Sequence, residues 1–164
     1  MVSLDQIAQW LEPWNHLFGH SKWVAGTVTG THIIFLMFGG GLAIAADRTT
    51  LRVDRANSAA RDEQVREIRA VHLPVLVSLV MLLASGVLLG ASDVNTFLPS
   101  VWFWVKIGLV VLLMINGSVL TLTERRLGQN LTDAGWARLR TLAWASITLW
   151  TATAVVGIVL SNIS

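Results

Sequence analysis

The sequence has no cysteine and no tyrosine, three prolines, and only 13% charged residues in a chain of 164. Without cysteine, disulfides, thiolate metal centres, iron–sulfur clusters and thiol nucleophiles are excluded, so redox work would need a bound cofactor. Soluble domains carry roughly 25% charged residues. The scarcity of charge therefore argues against a soluble globule, and a hydrophobic fraction of 54% with a mean hydropathy of +0.62 argues against disorder. The length suits one domain, since domains run to about 100–200 residues. What is abundant is tryptophan, eight residues, and long stretches without any charge.

Between Lys22 and Asp47 there is no Asp, Glu, Lys or Arg. As a helix that stretch is about 35 Å long, enough to cross a hydrocarbon layer of ~30 Å. Similar stretches run from Ala70 to Ser92, from Phe97 to Thr123 with Lys106 as its one charge, and from Thr141 to the carboxyl end. The expected fold is an all-α membrane protein, a four-transmembrane-helix bundle with spans at about 24–46, 70–92, 101–123 and 141–162. It forms one domain over 23–164. A soluble four-helix bundle is the competing reading. Against it, Ile33-Ile34-Phe35-Leu36-Met37-Phe38 and Val75 to Leu83 present apolar or small side chains on every helical face.

Ten of the twelve basic residues fall in two connections: Arg48, Arg52, Arg55, Arg61, Arg66 and Arg69, then Arg125, Arg126, Arg138 and Arg140. By the positive-inside rule loops 48–69 and 124–140 are expected in the cytoplasm, with both termini outside a cell inner membrane. Trp23, Trp102 and Trp104 fall at outer boundaries and Trp136 and Trp144 at inner ones, as interfacial rings prefer. Trp150 is deeper and is expected between helices. Residues 1–22 lack the positive n-region and long apolar h-region of a signal peptide. Leu4, Ile7, Leu11, Trp14 and Leu17 or Phe18 recur there at helical spacing opposite Asp5, Gln6, Gln9 and Glu12, which predicts an interfacial amphipathic helix kinked at Pro13. The second half of the first basic loop, Ser58 to Arg69, is expected to continue as helix into span two.

Ionisable groups inside a bilayer are costly and usually face protein, water or a ligand. His32 is the deepest histidine, about 22 Å along a helix from Asp47, and Lys106 lies about 27 Å from Glu124, which places both in the outer half. In the functional reading His32 is an axial ligand of haem b and Lys106 pairs with a propionate. In the structural reading His32 hydrogen-bonds within the bundle and Lys106 snorkels outward. His72 falls near the cytoplasmic end of span two, about 17 Å in depth from His32, too far for the two to share one haem on straight helices. Met81 is closer in depth to His32, although methionine in an apolar helix is commonly filler. His16 and His20 are spaced i,i+4, so copper or zinc could be held by them, or His20 could reach a haem at the outer surface. Gly26-x-x-x-Gly30, Gly39-Gly40-Gly41 and Gly86-x-x-x-Gly90 allow close helix approach or leave room for a porphyrin face. Phosphoryl transfer, nicotinamide chemistry and zinc proteolysis have no motif here, and nucleic acid is not an expected partner.

Thr31-His32 followed by Gly39-Gly40-Gly41, Ser85-Gly86, and Phe103-Trp104-Val105-Lys106-Ile107 leading to Asn116-Gly117 resemble the copper-resistance D-like membrane family. More distantly they resemble the HemJ-type protoporphyrinogen oxidases. The resemblance implies four membrane helices with His32 and Lys106 as the functional pair. The leading expectation is a b-type-cytochrome-like membrane subunit that binds haem b and exchanges electrons with a partner protein or quinone. Alternatives are a porphyrinogen oxidase, a copper-handling protein using His16, His20 and His32, and a structural subunit of a larger complex or homo-oligomer.

Overall fold

The computed structural model describes residues 4–54, 56–128 and 132–162, with the side chains of Leu4 and Asp5 left aside. Arg55 lies outside the described residues. Six helices follow one another: α1 (Leu4–His20), α2 (Lys22–Arg52), α3 (Ser58–Ser92), α4 (Val94–Phe97), α5 (Val101–Leu127) and α6 (Asp133–Ser161). There is no strand among the described residues. The chain is an all-α membrane protein: α2, α3, α5 and α6 are each long and apolar enough to cross a bilayer.

Capping explains where the helices begin. Ser21, Asn57 and Thr132 accept side-chain hydrogen bonds from the backbone N–H groups of Val24, Ala60 and Gly135, at the starts of α2, α3 and α6. Asp93 does the same for the short α4. Asn57 and Thr132 lie well outside the charge-free stretches, so α3 starts twelve residues before the expected span and α6 eight. Helix ends are set by caps, and bilayer edges by charge. The expected loops 48–69 and 124–140 are therefore mostly helical extensions, with Ser58 to Arg69 continuing into span two as its pattern predicts.

Those extensions have their own core, Val65, Ile68, Leu127, Trp136 and Leu139. Trp136 is 1% exposed and belongs to this core, which corrects the expectation of an interfacial ring. The Arg61 guanidinium lies 5.9 Å over its indole and bonds Asp133 at 2.8 Å. Gln64 donates to the Ala46 carbonyl and to Thr50, and Arg140 donates to the Leu51 carbonyl at 2.7 Å, fastening the inner end of α2 to α3 and α6. Trp23, Trp102, Trp104 and Trp144 are exposed, as boundary rings should be.

In the bundle α2 packs on α3 and α6, and α5 on α6, while α3 and α5 meet least among neighbouring long helices. Gly39 and Gly40 set the α2 crossing: a Cβ at Gly39 would collide with the Ser78 Cβ, and one at Gly40 would come within 3.1 Å of Trp150. Trp150 is 4% exposed and sits between helices as expected. α1 runs unbroken through Pro13 and Gly19 and lies against α2, α3 and α4. Its Ile7, Leu11, Trp14 and Phe18 face inward, and Trp14 Nε1 donates to the Leu88 carbonyl at 2.9 Å.

Candidate functional site

Apolar helices of this length bury few polar groups, so those that converge on the bundle centre mark the site. In the outer half, all four long helices contribute one element. His32 on α2 places Nδ1 2.9 Å from Ser85 Oγ on α3. Ser85 Oγ donates its own proton to the Met81 carbonyl at 2.6 Å. The hydroxyl is then an acceptor toward the ring, so His32 carries its proton on Nδ1 and keeps the lone pair on Nε2. A histidine held by a second partner through one nitrogen is the usual arrangement for a ring that ligates through the other.

Glycines shape the surroundings. A Cβ at Gly86 would touch His32 Cε1 at 3.4 Å, so the imidazole packs against α3 where Gly86 lacks side-chain bulk. On α5, Lys106 stands in the second turn, near the outer end of the helix. Its Nζ lies 3.2 Å from where a Cβ on Gly157 of α6 would be. Lys106 is thus partly buried and packed against α6, four residues before the outer end of that helix.

The remaining candidates stand elsewhere. Thr121 Oγ1 of α5 donates to the Gly117 carbonyl and accepts from one ring nitrogen of His72, with Nε2 at 3.2 Å and Nδ1 at 3.3 Å. That places His72 in the inner half, away from His32. Met81 lends its carbonyl to Ser85, while its side chain is 36% exposed toward lipid. His16 and His20 stack with ring centroids 4.0 Å apart on exposed α1, and His20 Nδ1 donates to the His16 carbonyl. Among the described residues no three His, Cys, Asp or Glu side chains come together as a metal site.

Two buried polar groups were given no role by the sequence. Ser85 bonds back to the carbonyl four residues earlier, as Ser78, Ser118 and Thr153 also do, so nothing in its local pattern marks it as the histidine's partner. Asp47 marked only the end of a charge-free run, yet it is 5% exposed and within hydrogen-bonding reach of Ser146 on α6. Its position five residues before the end of α2, beside residues that pack inward, was the available signal.

The fold and this buried polar centre define a class: a four-span all-α membrane protein with one oriented imidazole and one ammonium between its helices. No family model matches the chain, and no curated protein or solved structure does either.

Proposed function

We propose that the protein is a b-type-cytochrome-like membrane subunit, with His32 Nε2 as an axial ligand of haem b and Lys106 as the partner of a propionate. One observation supports this reading: His32 Nδ1 is held by Ser85 Oγ, itself bonded to the Met81 carbonyl, an arrangement in which Nε2 would be the ligating nitrogen. His32, oriented by the Ser85 hydroxyl, would hold the group from one side, with Lys106 as the cation for a propionate, whereas His72, His16 and His20 are engaged elsewhere. Haem b, when bound, supplies a one-electron couple, and electrons pass to or from a partner protein or quinone. The chain's own part is to hold the imidazole tautomer, to place a positive charge beside it and to exclude water with apolar helices.

The test is the absorption spectrum of protein purified from haem-replete cells. A Soret band that disappears in His32→Ala, in protein of unchanged helicity, is the expected result. No band in the wild type, or an identical band in the variant, would overturn the reading. The resemblance to HemJ-type proteins adds a further outcome: rescue of a strain deficient in protoporphyrinogen oxidation would make the same pair part of an oxidase.

The reading places the chain in a cell inner membrane with the arginine-rich extensions in the cytoplasm and α1 at the outer surface. The absence of cysteine makes this testable with single additions to an otherwise thiol-free protein. Ala56→Cys should react with an impermeant maleimide only after the membrane is opened, and Asn95→Cys in intact spheroplasts. The opposite pattern would invert the orientation.

A further inference from the structure

Where α3 and α5 separate, a cleft of about 190 Å³ opens in the inner half of the bundle. We infer that it binds a neutral, membrane-dissolved molecule with a single oxygen-bearing ring and an apolar tail, of the quinone or quinol class. The seam is closed at both ends. Phe103 covers Gly90 near the outer end, and Arg69 on α3 bonds Glu124 on α5 at the inner end, at 2.8 Å. Between these closures Leu76, Val80 and Met114 line the cleft and are also 49%, 58% and 46% exposed on the lipid-facing side, so the cleft opens sideways into the bilayer.

Size selects the head. An apolar cavity of roughly 150 Å³ holds one benzene ring. A volume of about 190 Å³ thus takes one substituted ring and excludes a porphyrin, which separates this site from the His32 centre. Polarity selects its chemistry. Asp47 of α2, Ser146 of α6, His72 of α3, and Asn116, Ser118 and Thr121 of α5 supply the polar part of the lining. Polar groups from all four long helices in an otherwise apolar wall suit a ring that carries more than one oxygen. A hydroxyl can donate to Asp47, and another ring oxygen meets His72, donating to its free nitrogen as a hydroxyl or taking the N–H from Thr121 as a carbonyl. No lysine or arginine is among the lining residues, and a carboxyl is, so a phosphate or carboxylate head is disfavoured. Trp150 also lines the cleft and offers an indole for stacking and a reporter for binding.

The inference is independent of haem binding, and its test keeps the two apart. Wild-type protein in lipid nanodiscs is titrated with a decyl-substituted benzoquinone, following quenching of tryptophan fluorescence against protein-free nanodiscs with free indole. Saturable quenching is expected. A Cβ at Gly117, which lines the cleft, meets nothing within 4 Å, so Gly117→Leu should fold and fill the space, weakening binding at least tenfold. Gly108→Leu, on the exposed face of the same helix and equally unobstructed, should leave binding unchanged. Met114→Trp at the mouth is a second blocking variant should Gly117→Leu fail to accumulate. Non-saturable quenching, equal affinity in both blocking variants, or displacement by tetraphenylphosphonium without displacement by the reduced quinol would overturn the proposal. The titration is repeated on His32→Ala: binding retained there shows that the cleft works without the His32 centre, and loss of a Soret band has no bearing on it.

Discussion

Gly39→Leu is expected to abolish the folded bundle, whereas Gly41→Leu two residues away is expected to be silent. A Cβ at Gly39 would overlap the Cβ of Ser78, which is attached to the α3 backbone and cannot swing aside. The Ser78 hydroxyl is further tied to the Pro74 carbonyl at 2.8 Å, in the turn where proline has already removed a backbone donor. Relief requires α2 and α3 to separate, which forfeits contacts along the best-packed pair in the protein. Forcing bulk into a filled core commonly costs about 1–3 kcal/mol by side-chain adjustment alone. Here adjustment is blocked by backbone, so the cost should exceed that range. At Gly40 the obstacle is the ring of Trp150, so Gly40→Ala should fall within that range. Gly41 faces lipid with nothing within 4 Å, and replacing glycine in a helix gains up to about 1 kcal/mol of propensity. Thermal denaturation and size-exclusion profiles in mild detergent should rank the damage 39, 40, 41. Equal tolerance at 39 and 41 would mean that the α2/α3 crossing is wrong.

The same three glycines show what a sequence discloses. Their close-approach role was legible, because small residues in an apolar helix have few other uses. Which of them touches a neighbour was not, since that depends on the azimuth of α2 relative to α3 and α6. The four spans were legible because bilayer insertion imposes a charge-free length that needs no partner to be recognised. The inner extensions were not, because their stability comes from pairings distant in sequence. Arg61 finds Asp133, and Val65 and Ile68 find Leu127 and Trp136. A tryptophan beside arginines reads as an interfacial ring in one dimension and is a core residue in three. At the site, the matching depths of His32 and Lys106 could be counted along the chain. Ser85 could not be found that way, because its tie to His32 spans 53 residues and its local bond is shared by many helix hydroxyls.

The seam between α3 and α5 gives the second large effect. Arg69→Ala should destabilise the protein by about 1–3 kcal/mol, and the double variant Arg69→Ala/Glu124→Leu should recover most of that loss. The Glu124 side chain is 3% exposed, and its carboxylate receives the Arg69 Nε–H at 2.8 Å. Removing the arginine leaves a buried charge with its main partner gone, which in fully buried pairs costs roughly 3–5 kcal/mol. Arg69 itself is 58% exposed, so water can partly replace it, and the lower range follows. Replacing both partners removes the stranded charge and adds apolar area beside Leu127, whereas Glu124→Leu alone leaves only a solvated arginine and should be nearly neutral. A double-mutant cycle on thermal unfolding should therefore return a coupling above about 1 kcal/mol. Additive losses would mean that the pair does not hold the seam. The guanidinium also lies against Gly128, where a Cβ would come within 2.7 Å of Nη2, so Gly128→Ala should displace it and reproduce part of the Arg69→Ala loss. This contact joins the His72–Thr121 bond and the packing of Val65 and Ile68 on Leu127 in tying α3 to α5 at the inner end.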